Sequence, residues 1–493
     1  LYHYYRYLNI ALSQKDCSYE RLGTVINADA LKRVDQFFDG YFAQGRTPGL
    51  LYGVAVGNSL LHWKAIGDAV IGETPVRRST SFRVASLTKS FTATAILMLR
   101  DQELINLDSS FVTYIPELFP HQIEVFEVTV RQLLSMSSGF PTDNDWADRV
   151  ESWSDEEFNS ALEKGFRFDS RPGTRYEYSN LGYALLARII ANVSKNSYIE
   201  YVTKEIIEMV GLTSTTFHYE DAIEIAMGYT NIDGWKEEPH QMAGAFSSIG
   251  GLITTLDDLV AWSAYLSSAF NPHSPEVGPL KKSSRREMQN IQQDIPKIRE
   301  PNTDLSYSGI NGYGFGLRVE EDDVFGKVAA HSGGYPGFGA HMRWHAQSGL
   351  SVVALANGRY ASPVTAAIPA LRTLLRELPT TDRGISSDLQ EIQRGVHLLL
   401  MQWEEKLADE LFAINMDLDF PRDFRKAQIL QAGQLTGNFR ISHSHNSSHL
   451  KWVEEGEKKS LEIEIWLTPL SPAKLQALKI STVDFFDTGL HQA

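Results

Sequence analysis

A single cysteine, Cys17, stands in a chain of 493 residues. It can close no intramolecular disulfide, and it leaves no material for a zinc–thiolate cluster or a redox pair. No apolar run reaches the roughly eighteen residues a helix needs to cross a bilayer. Basic residues are outnumbered: 46 Lys and Arg face 61 Asp and Glu, for a formal charge of −15. The stretch "KKSSRR" at 281–286 is too short to change that balance. The composition therefore argues against nucleic acid or an anionic membrane as a partner. No Gly-x-Ser-x-Gly occurs, which argues against an α/β-hydrolase nucleophile elbow. Internal repeats and low-complexity tracts are also missing. The start, "LYHYYRYLNIALSQKDC", lacks the basic-then-apolar order of a secretory signal. With the lone cysteine this gives an expectation of a cytoplasmic protein. The missing initiator methionine leaves an upstream segment open.

What is present describes a globular protein with a large core. Hydrophobic residues make up 43% of the chain, and the length implies two or three domains. Residues 28–44 carry apolar positions at helical spacing, and residues 1–27 read as an N-terminal extension. "LLYGVAVG" and "LLHWKAIGDAVIG" read as two strands paired through a turn at "NS", the first apolar enough to be central. Residues 110–260 look mostly helical, and 271–311 read as a polar insertion or mobile rim. Strand patterns resume with "GYGFGLRVEE", "KVAAHSGG", "GAHMRWHAQSG" and "LSVVALANG", and a helix over about 362–377 follows. The order predicts an α/β (α+β) domain over 28–378. In it an antiparallel sheet, built from both ends of the domain, is flanked by helices and carries an inserted all-helical lobe. Beyond a linker at 378–388, residues 389–413 form an amphipathic pattern, and "LEIEIWL" and "LQALKIS" read as strands. Residues 379–493 are expected to form a small α+β domain.

The chemistry is concentrated in three places. "RVASLTKSFTATAILML" (83–99) puts Ser86 three residues before Lys89, at the head of an apolar helix. That spacing places both on one helical face, one turn apart. Serine needs a base within hydrogen-bond reach, and a buried lysine can be one because desolvation favours its neutral form. The alternative is a serine cap with a lysine that snorkels to water. A second Ser-x-x-Lys, Ser471–Lys474, has no apolar helix behind it and reads as accidental. "RPGTRYEYSNLGYALLARII" (171–190) places Tyr178 and Asn180 just before another apolar helix. "KVAAHSGGYPGFGAHMRW" (327–344) places His331, Ser332, Gly333 and Gly334 at the end of a strand, where small residues allow close backbone approach.

In this order and spacing, the three stretches resemble the serine β-lactamase and penicillin-binding-protein-like superfamily. The nearest branch holds class C β-lactamases, esterases and D-aminopeptidases. Its motifs Ser-x-x-Lys, Tyr-x-Asn and Lys/His-x-Gly are matched by Ser86–Lys89, Tyr178–Asn180 and His331–Gly333. "LLSMSSGF", "GAFSSIGGLITTLDDLVAW" and "GYGFGLRV" look like the branch's connecting segments, and the resemblance covers about 28–378. It implies that Ser86 is the acylated nucleophile and that Lys89 and Tyr178 share proton transfer. Asn180, His331 and Gly333 would bind substrate, and the oxyanion hole would be the backbone N–H groups of Ser86 and Gly334. No cofactor and no metal are implied; the partner is a small ester, lactone or peptide substrate. The oligomeric state stays open.

Two departures matter. Penicillin-directed members usually carry lysine where His331 stands, and a histidine, partly neutral near pH 7, grips a carboxylate more weakly. In the resemblance this variant accompanies esterases, lactonases and D-aminopeptidase-like hydrolases, with β-lactam or D-Ala-D-Ala chemistry as the second choice. A non-catalytic acylatable sensor is the competing class. Met136 stands where relatives often have histidine, with no consequence evident from sequence. The histidines of "SHSHNSSHL" (His443, His445, His449) read as a solvated hairpin loop rather than metal ligands. Asn192-Val-Ser and Asn446-Ser-Ser match the glycosylation pattern, which bears only on a secreted chain. Trp146 and Tyr313 are candidates for either pocket walls or core.

Overall fold

The computed structural model describes residues 26–115, 123–296, 309–322, 324–378, 386–434, 438–446, 448–455 and 460–483. The chain divides into two compact units, Leu1–Leu378 and Pro379–Ala493.

In the first unit, helix α1 (Ala28–Phe42) starts at Asn27, whose side chain accepts the Ala30 N–H. Strands β1 (Gly49–Val56) and β2 (Ser59–Val70) form the expected hairpin. Its turn is Gly57-Asn58, with Gly57 at φ 53°, a conformation that favours glycine. Further strands are β3 (Thr74–Pro75), β4 (Gln293–Asp294), β5 (Gly309–Tyr313), β6 (Arg318–Asp322), β7 (Gly326–Tyr335), β8 (Phe338–His345) and β9 (Leu350–Ala356). They assemble in the order β3-β2-β1-β9-β8-β7-β6-β5-β4, antiparallel at each junction, so the sheet joins the two ends of the domain. Every residue of β1, β8 and β9 is buried, as their apolar runs require of central strands.

Alternate residues serve opposite faces. Leu50, Tyr52, Val54, Val352 and Ala354 pack with Val34, Phe38 and Tyr41 of α1 and with Leu371 and Leu374 of α6 (Val364–Glu377). Leu51, Ala55, Val353 and Leu355 pack on the other side with the inserted lobe. That lobe contains α2 (Thr88–Asp101), α3 (Asn180–Ser194) and α4 (Leu256–Ser267). It is not all-helical. Phe82–Arg83 pairs with Ile253–Thr254, and Gly228–Asn231 pairs with Trp235–Glu238.

Two other expectations are corrected. "GYGFGLRVEE" is not one strand but the β5–β6 turn region, closed by the Gly314 N–H on the Leu317 carbonyl at 2.8 Å, with Gly316 at φ 70°. The segment read as a polar rim contains α5 (Lys282–Met288), and Arg285, Met288 and Gln289 are fully buried. Gln289 accepts the Trp344 indole N–H at 2.9 Å, and the Arg285 guanidinium lies 4.3 Å from the Tyr265 ring centroid. Residues 297–308 lie outside the described residues.

The second unit is α+β. The expected helix over 389–413 is broken: α7 (Ser387–Met401) ends at an extended Gln402 (φ −153°), and a separate helix runs over Glu405–Leu411. Helices Ile414–Asp419 and Arg422–Gly433 lead into a four-stranded antiparallel sheet in chain order, Asn438–Asn446, His449–Glu455, Ser460–Leu467 and Leu475–Val483. Leu389, Val396 and Leu399 share its core with Trp452, Ile463 and Ile465. Among the described residues no helix is long and apolar enough to cross a membrane.

Candidate active site

The site begins at a tight turn. After Phe82–Arg83 the chain enters a 3₁₀ turn, Ala85–Leu87, and passes directly into α2. Ala85 has φ 51°, an uncommon conformation for a residue with a Cβ, of the kind that costs about 1–3 kcal/mol and is held by its surroundings. The Thr88 hydroxyl donates to the Ala85 carbonyl at 2.7 Å and accepts the Leu252 N–H at 3.2 Å. From Thr80 to Leu99 every residue is buried except Ser86. The turn thus delivers one hydroxyl out of an otherwise closed segment.

Lys89 is fully buried, and its Nζ donates to Ser86 Oγ at 3.0 Å and to the Ile249 carbonyl at 2.9 Å. The rings of Tyr178 and Tyr183 lie 5.1 and 5.7 Å from it. Burial lowers its pKa to about 7, against the opposing pull of Asp148, Asp143 and Glu151. A substantial neutral fraction therefore exists near neutral pH. The snorkelling alternative is excluded by this burial.

Tyr178 precedes the N-terminus of α3. Ser179 caps the helix, accepting the Gly182 N–H, and Asp143 accepts the Asn180 and Leu181 N–H groups at 2.7 and 2.8 Å. Met136, at φ 59°, accepts the Glu177 N–H on its carbonyl at 2.8 Å and the Ser179 N–H on its sulfur at 3.4 Å. Its position thus supports the Tyr178 segment from below. The Tyr178 hydroxyl is hydrogen-bonded to Ser86, and burial pushes its pKa well above the usual tyrosine value. It is a neutral phenol here. The Asn180 amide donates to Asn144 Oδ1 at 2.9 Å, while its own Oδ1 is buried and has no partner among the described residues.

The third stretch lies on β7. Its residues 326–330 pair with β6, but 331–335 have no partner in that strand. That free edge meets the Ser86 turn: a Cβ at Gly333 would stand 2.3 Å from the Val84 carbonyl oxygen. Gly333 is thus where strand and turn touch. At Gly334 a Cβ would stand 2.9 Å from Tyr360 Cδ1. His331 is buried, with Nδ1 2.8 Å from the Ser332 carbonyl and Nε2 3.0 Å from the Tyr313 hydroxyl. Nδ1 must carry the proton it donates to that carbonyl, so Nε2 accepts from Tyr313. Burial, with Lys89 nearby, drives the His331 pKa down to about 3. Its imidazole is thus neutral near pH 7, with its ring centroid 6.4 Å from that of Tyr178.

Residues that the motifs did not indicate complete the surroundings. Arg83 and Glu151 form a buried ion pair at 2.9 Å, and Asp148 accepts from the Tyr360 hydroxyl at 3.0 Å. The acids came from the unremarkable run "DNDWADRVE", where only folding turns them toward Lys89. The β5–β6 turn presses on the same helix: a Cβ at Gly316 would lie 2.5 Å from the Lys89 carbonyl oxygen.

Tyr313 is core, not pocket wall; Trp146 is 45% exposed and makes edge contacts with Trp153 and Phe246. Lys474 donates to the Glu410 carbonyl, in the second unit. His449 Nε2 lies 2.8 Å from Glu464 Oε1 and its ring stacks on Trp466, while the side chains of His443 and His445 lie outside the described residues. Among the described residues no group of three or more His, Cys, Asp or Glu side chains could hold a metal ion.

Comparison with known proteins bears on the fold and the family. The family model described as Beta-lactamase matches residues 34–375. "Protein flp" of Staphylococcus aureus is 26% identical over 345 residues, covering 67% of this chain and 63% of its own length. The match thus spans under two thirds of that relative. "Beta-lactamase-like protein 4" of Dictyostelium discoideum is 33% identical over 190 residues, 35% of this chain and 33% of its own. The octameric penicillin-binding protein homologue from Pyrococcus abyssi superposes with a TM-score of 0.61 at 20% identity, over 91% of this chain and 99% of its own. A class C beta-lactamase superposes with a TM-score of 0.58 at 20% identity, over 70% and 96%. Fold and matched family model agree over the first unit, and the chain belongs to the beta-lactamase family.

Proposed function

We propose that this hydrolase acts through an acyl-enzyme on esters, lactones or small amides, D-configured ones included. The observation that carries the reading is the 3.0 Å contact between Ser86 Oγ and a lysine whose burial holds it near neutrality. Neutral Lys89 accepts the Ser86 proton as Oγ bonds to the substrate carbonyl carbon, and the carbonyl electrons move to oxygen. The backbone N–H groups of Ser86 and Gly334 are the donors this reading assigns to that oxyanion. On collapse the carbon–leaving-group bond breaks, and the Lys89 ammonium returns a proton to the leaving group through the Tyr178 hydroxyl. Water then attacks the acyl carbon as Lys89 takes its proton, the bond from that carbon to Ser86 Oγ breaks, the acid departs, and Lys89 returns the proton to Oγ. Asn180, with its free Oδ1, is assigned to the substrate amide.

His331 supports esters and lactones over β-lactams or D-Ala-D-Ala peptides. A neutral imidazole tied to Tyr313 offers no charge to a substrate carboxylate. The reading assigns the chemistry to residues 28–378, where every residue it invokes lies.

The test is a time course of p-nitrophenyl acetate and butyrate hydrolysis, wild type beside Ser86→Ala, with intact mass on the same samples. Sustained turnover that vanishes in the variant supports the hydrolase. A single burst with a stable mass increase assigns an acylatable sensor instead. The absence of both a burst and a mass shift overturns the reading.

A further inference from the structure

Tyr360 holds an aromatic side chain on a left-handed backbone (φ 50°), a conformation that bulky residues adopt only when the surroundings impose it. Three contacts impose it here. Its N–H donates to the Tyr335 carbonyl at 3.1 Å, at the end of β7. Its ring covers the α-carbon of Gly334, where any Cβ would stand 2.9 Å from Tyr360 Cδ1. Its hydroxyl donates to Asp148 Oδ2 at 3.0 Å. Tyr360 therefore ties the Gly334 end of β7 to the loop that carries the acids facing Lys89.

Those acids are not equivalent. Asp143 is engaged by two backbone N–H groups of α3, and Glu151 by the Arg83 guanidinium. Asp148 is 5% exposed, and among the described residues its carboxylate has one hydrogen-bond donor, a neutral phenol. It is also the strongest of the three in opposing the neutralisation of Lys89. The charged and titratable groups facing Asp148 are Lys89, Tyr360, Glu151, Asp143, Tyr178 and Tyr335. Those facing Lys89 are the same three acids, the neutral His331, and the rings of Tyr178 and Tyr183. Asp145 and Arg359 flank Tyr360.

We propose that Tyr360 and Asp148 are paired positioning residues for acylation. The Tyr360 ring fixes the Gly334 N–H beside the Ser86 turn, and its hydroxyl holds Asp148 as the counter-charge to the ammonium that Lys89 becomes on taking the serine proton. This rests on the acyl-enzyme reading above. It extends the site to residues outside the three motifs, and it gives the strained backbone at Tyr360 a purpose.

The experiment uses the full chain as wild type, Tyr360→Phe, Tyr360→Ala and Asp148→Asn. kcat and KM for p-nitrophenyl acetate are followed from pH 5 to 9, with thermal melts. In parallel the Lys89 side chain is titrated by NMR on lysine-labelled protein, assigned with Lys89→Arg. Asp148→Asn is expected to move the acid limb and the Lys89 titration to lower pH by ~0.5–1 unit. Tyr360→Phe keeps the ring and is expected to shift both the same way, with kcat down ~3–10-fold and KM unchanged. Tyr360→Ala also frees the Gly334 segment and is expected to lose ~100-fold in kcat. If that variant does not fold, the other two still decide. Folded Tyr360→Phe and Asp148→Asn proteins with wild-type kcat, limb and Lys89 titration overturn the pairing, whatever their melting temperatures. If the wild type is never acylated, the acyl-enzyme reading falls. The NMR titration then still judges the electrostatic link, which a displaced Lys89 titration upholds and an unmoved one overturns.

Discussion

A methyl group on Gly333 would collide with the Val84 carbonyl oxygen at 2.3 Å, and with Ala85 Cβ and Leu87 Cδ1 at 3.2 Å. The strand carrying His331 and the turn carrying Ser86 thus touch backbone to backbone. Only hydrogen at position 333 permits it, and the part of β7 not paired with β6 can then run beside Ser86.

Gly333→Ala should therefore separate strand from turn. Backbone on the far side cannot yield cheaply, so the expected destabilisation is ~1–3 kcal/mol. Displacing the oxyanion donor proposed at Gly334 is expected to lower kcat by ~100-fold. Urea unfolding and ester hydrolysis on the same preparation check both. Wild-type values for each would show that the contact relaxes.

Lys89 titrates at about 7 because burial outweighs its acidic neighbours. A base must be neutral to act, so kcat/KM for acylation should fall about tenfold per pH unit below that value and level off above it. Lys89→Arg keeps the charge but stays protonated, and should lose at least ~100-fold at every pH. A pH-rate profile of both proteins measures this, and near-normal activity of the arginine variant would sink the mechanism.

Glu151 and Arg83 are buried together, with side-chain exposures of 0% and 3%. Glu151→Gln leaves the guanidinium without its counter-charge and should cost ~3–5 kcal/mol. Replacing both by apolar residues, Arg83→Met with Glu151→Leu, should recover most of that loss. Chemical denaturation of the single and double variants gives the comparison; a single variant as stable as wild type would mean that solvent reaches Arg83.

His331 is neutral in the folded protein, its pKa driven down to about 3 from the ordinary 6.5. The unfolded chain binds the extra proton first, so the stability His331 contributes is full above pH 6.5 and is lost as pH falls toward 3. In His331→Gln this loss is removed. The stability gap between wild type and variant should therefore shrink by about 1.4 kcal/mol per pH unit between ~6 and ~4. Thermal or urea melts across that range measure the gap. A constant gap would mean that the imidazole charges freely in place.

Much of the first unit could be read locally. The β1–β2 hairpin followed from two apolar runs and a glycine-containing turn, and Ser86 and Lys89 from a three-residue spacing at the head of an apolar helix. The three motif stretches do converge, as their order implied. The β5–β6 turn was missed because "GYGFGLRVEE" has strand composition throughout; the break comes from Gly316 seating against Lys89, a contact between segments far apart in the chain. α5 was missed because Arg285 and Gln289 are polar in composition yet buried in place by Tyr265, Leu266 and Trp344.

The sequence by itself determined which groups could do chemistry, since helical and strand periodicities decide locally which side chains share a face. It marked Ser86, Lys89, Tyr178, Asn180 and His331 by type and spacing. Only the tertiary structure decided their protonation. The lysine is held by a carbonyl 160 residues away, the histidine by a tyrosine 18 residues away, and the acids that restrain the lysine lie on a separate loop. A charge depends on the solvent it loses and the neighbours it gains, and both are set by packing segments distant in the chain.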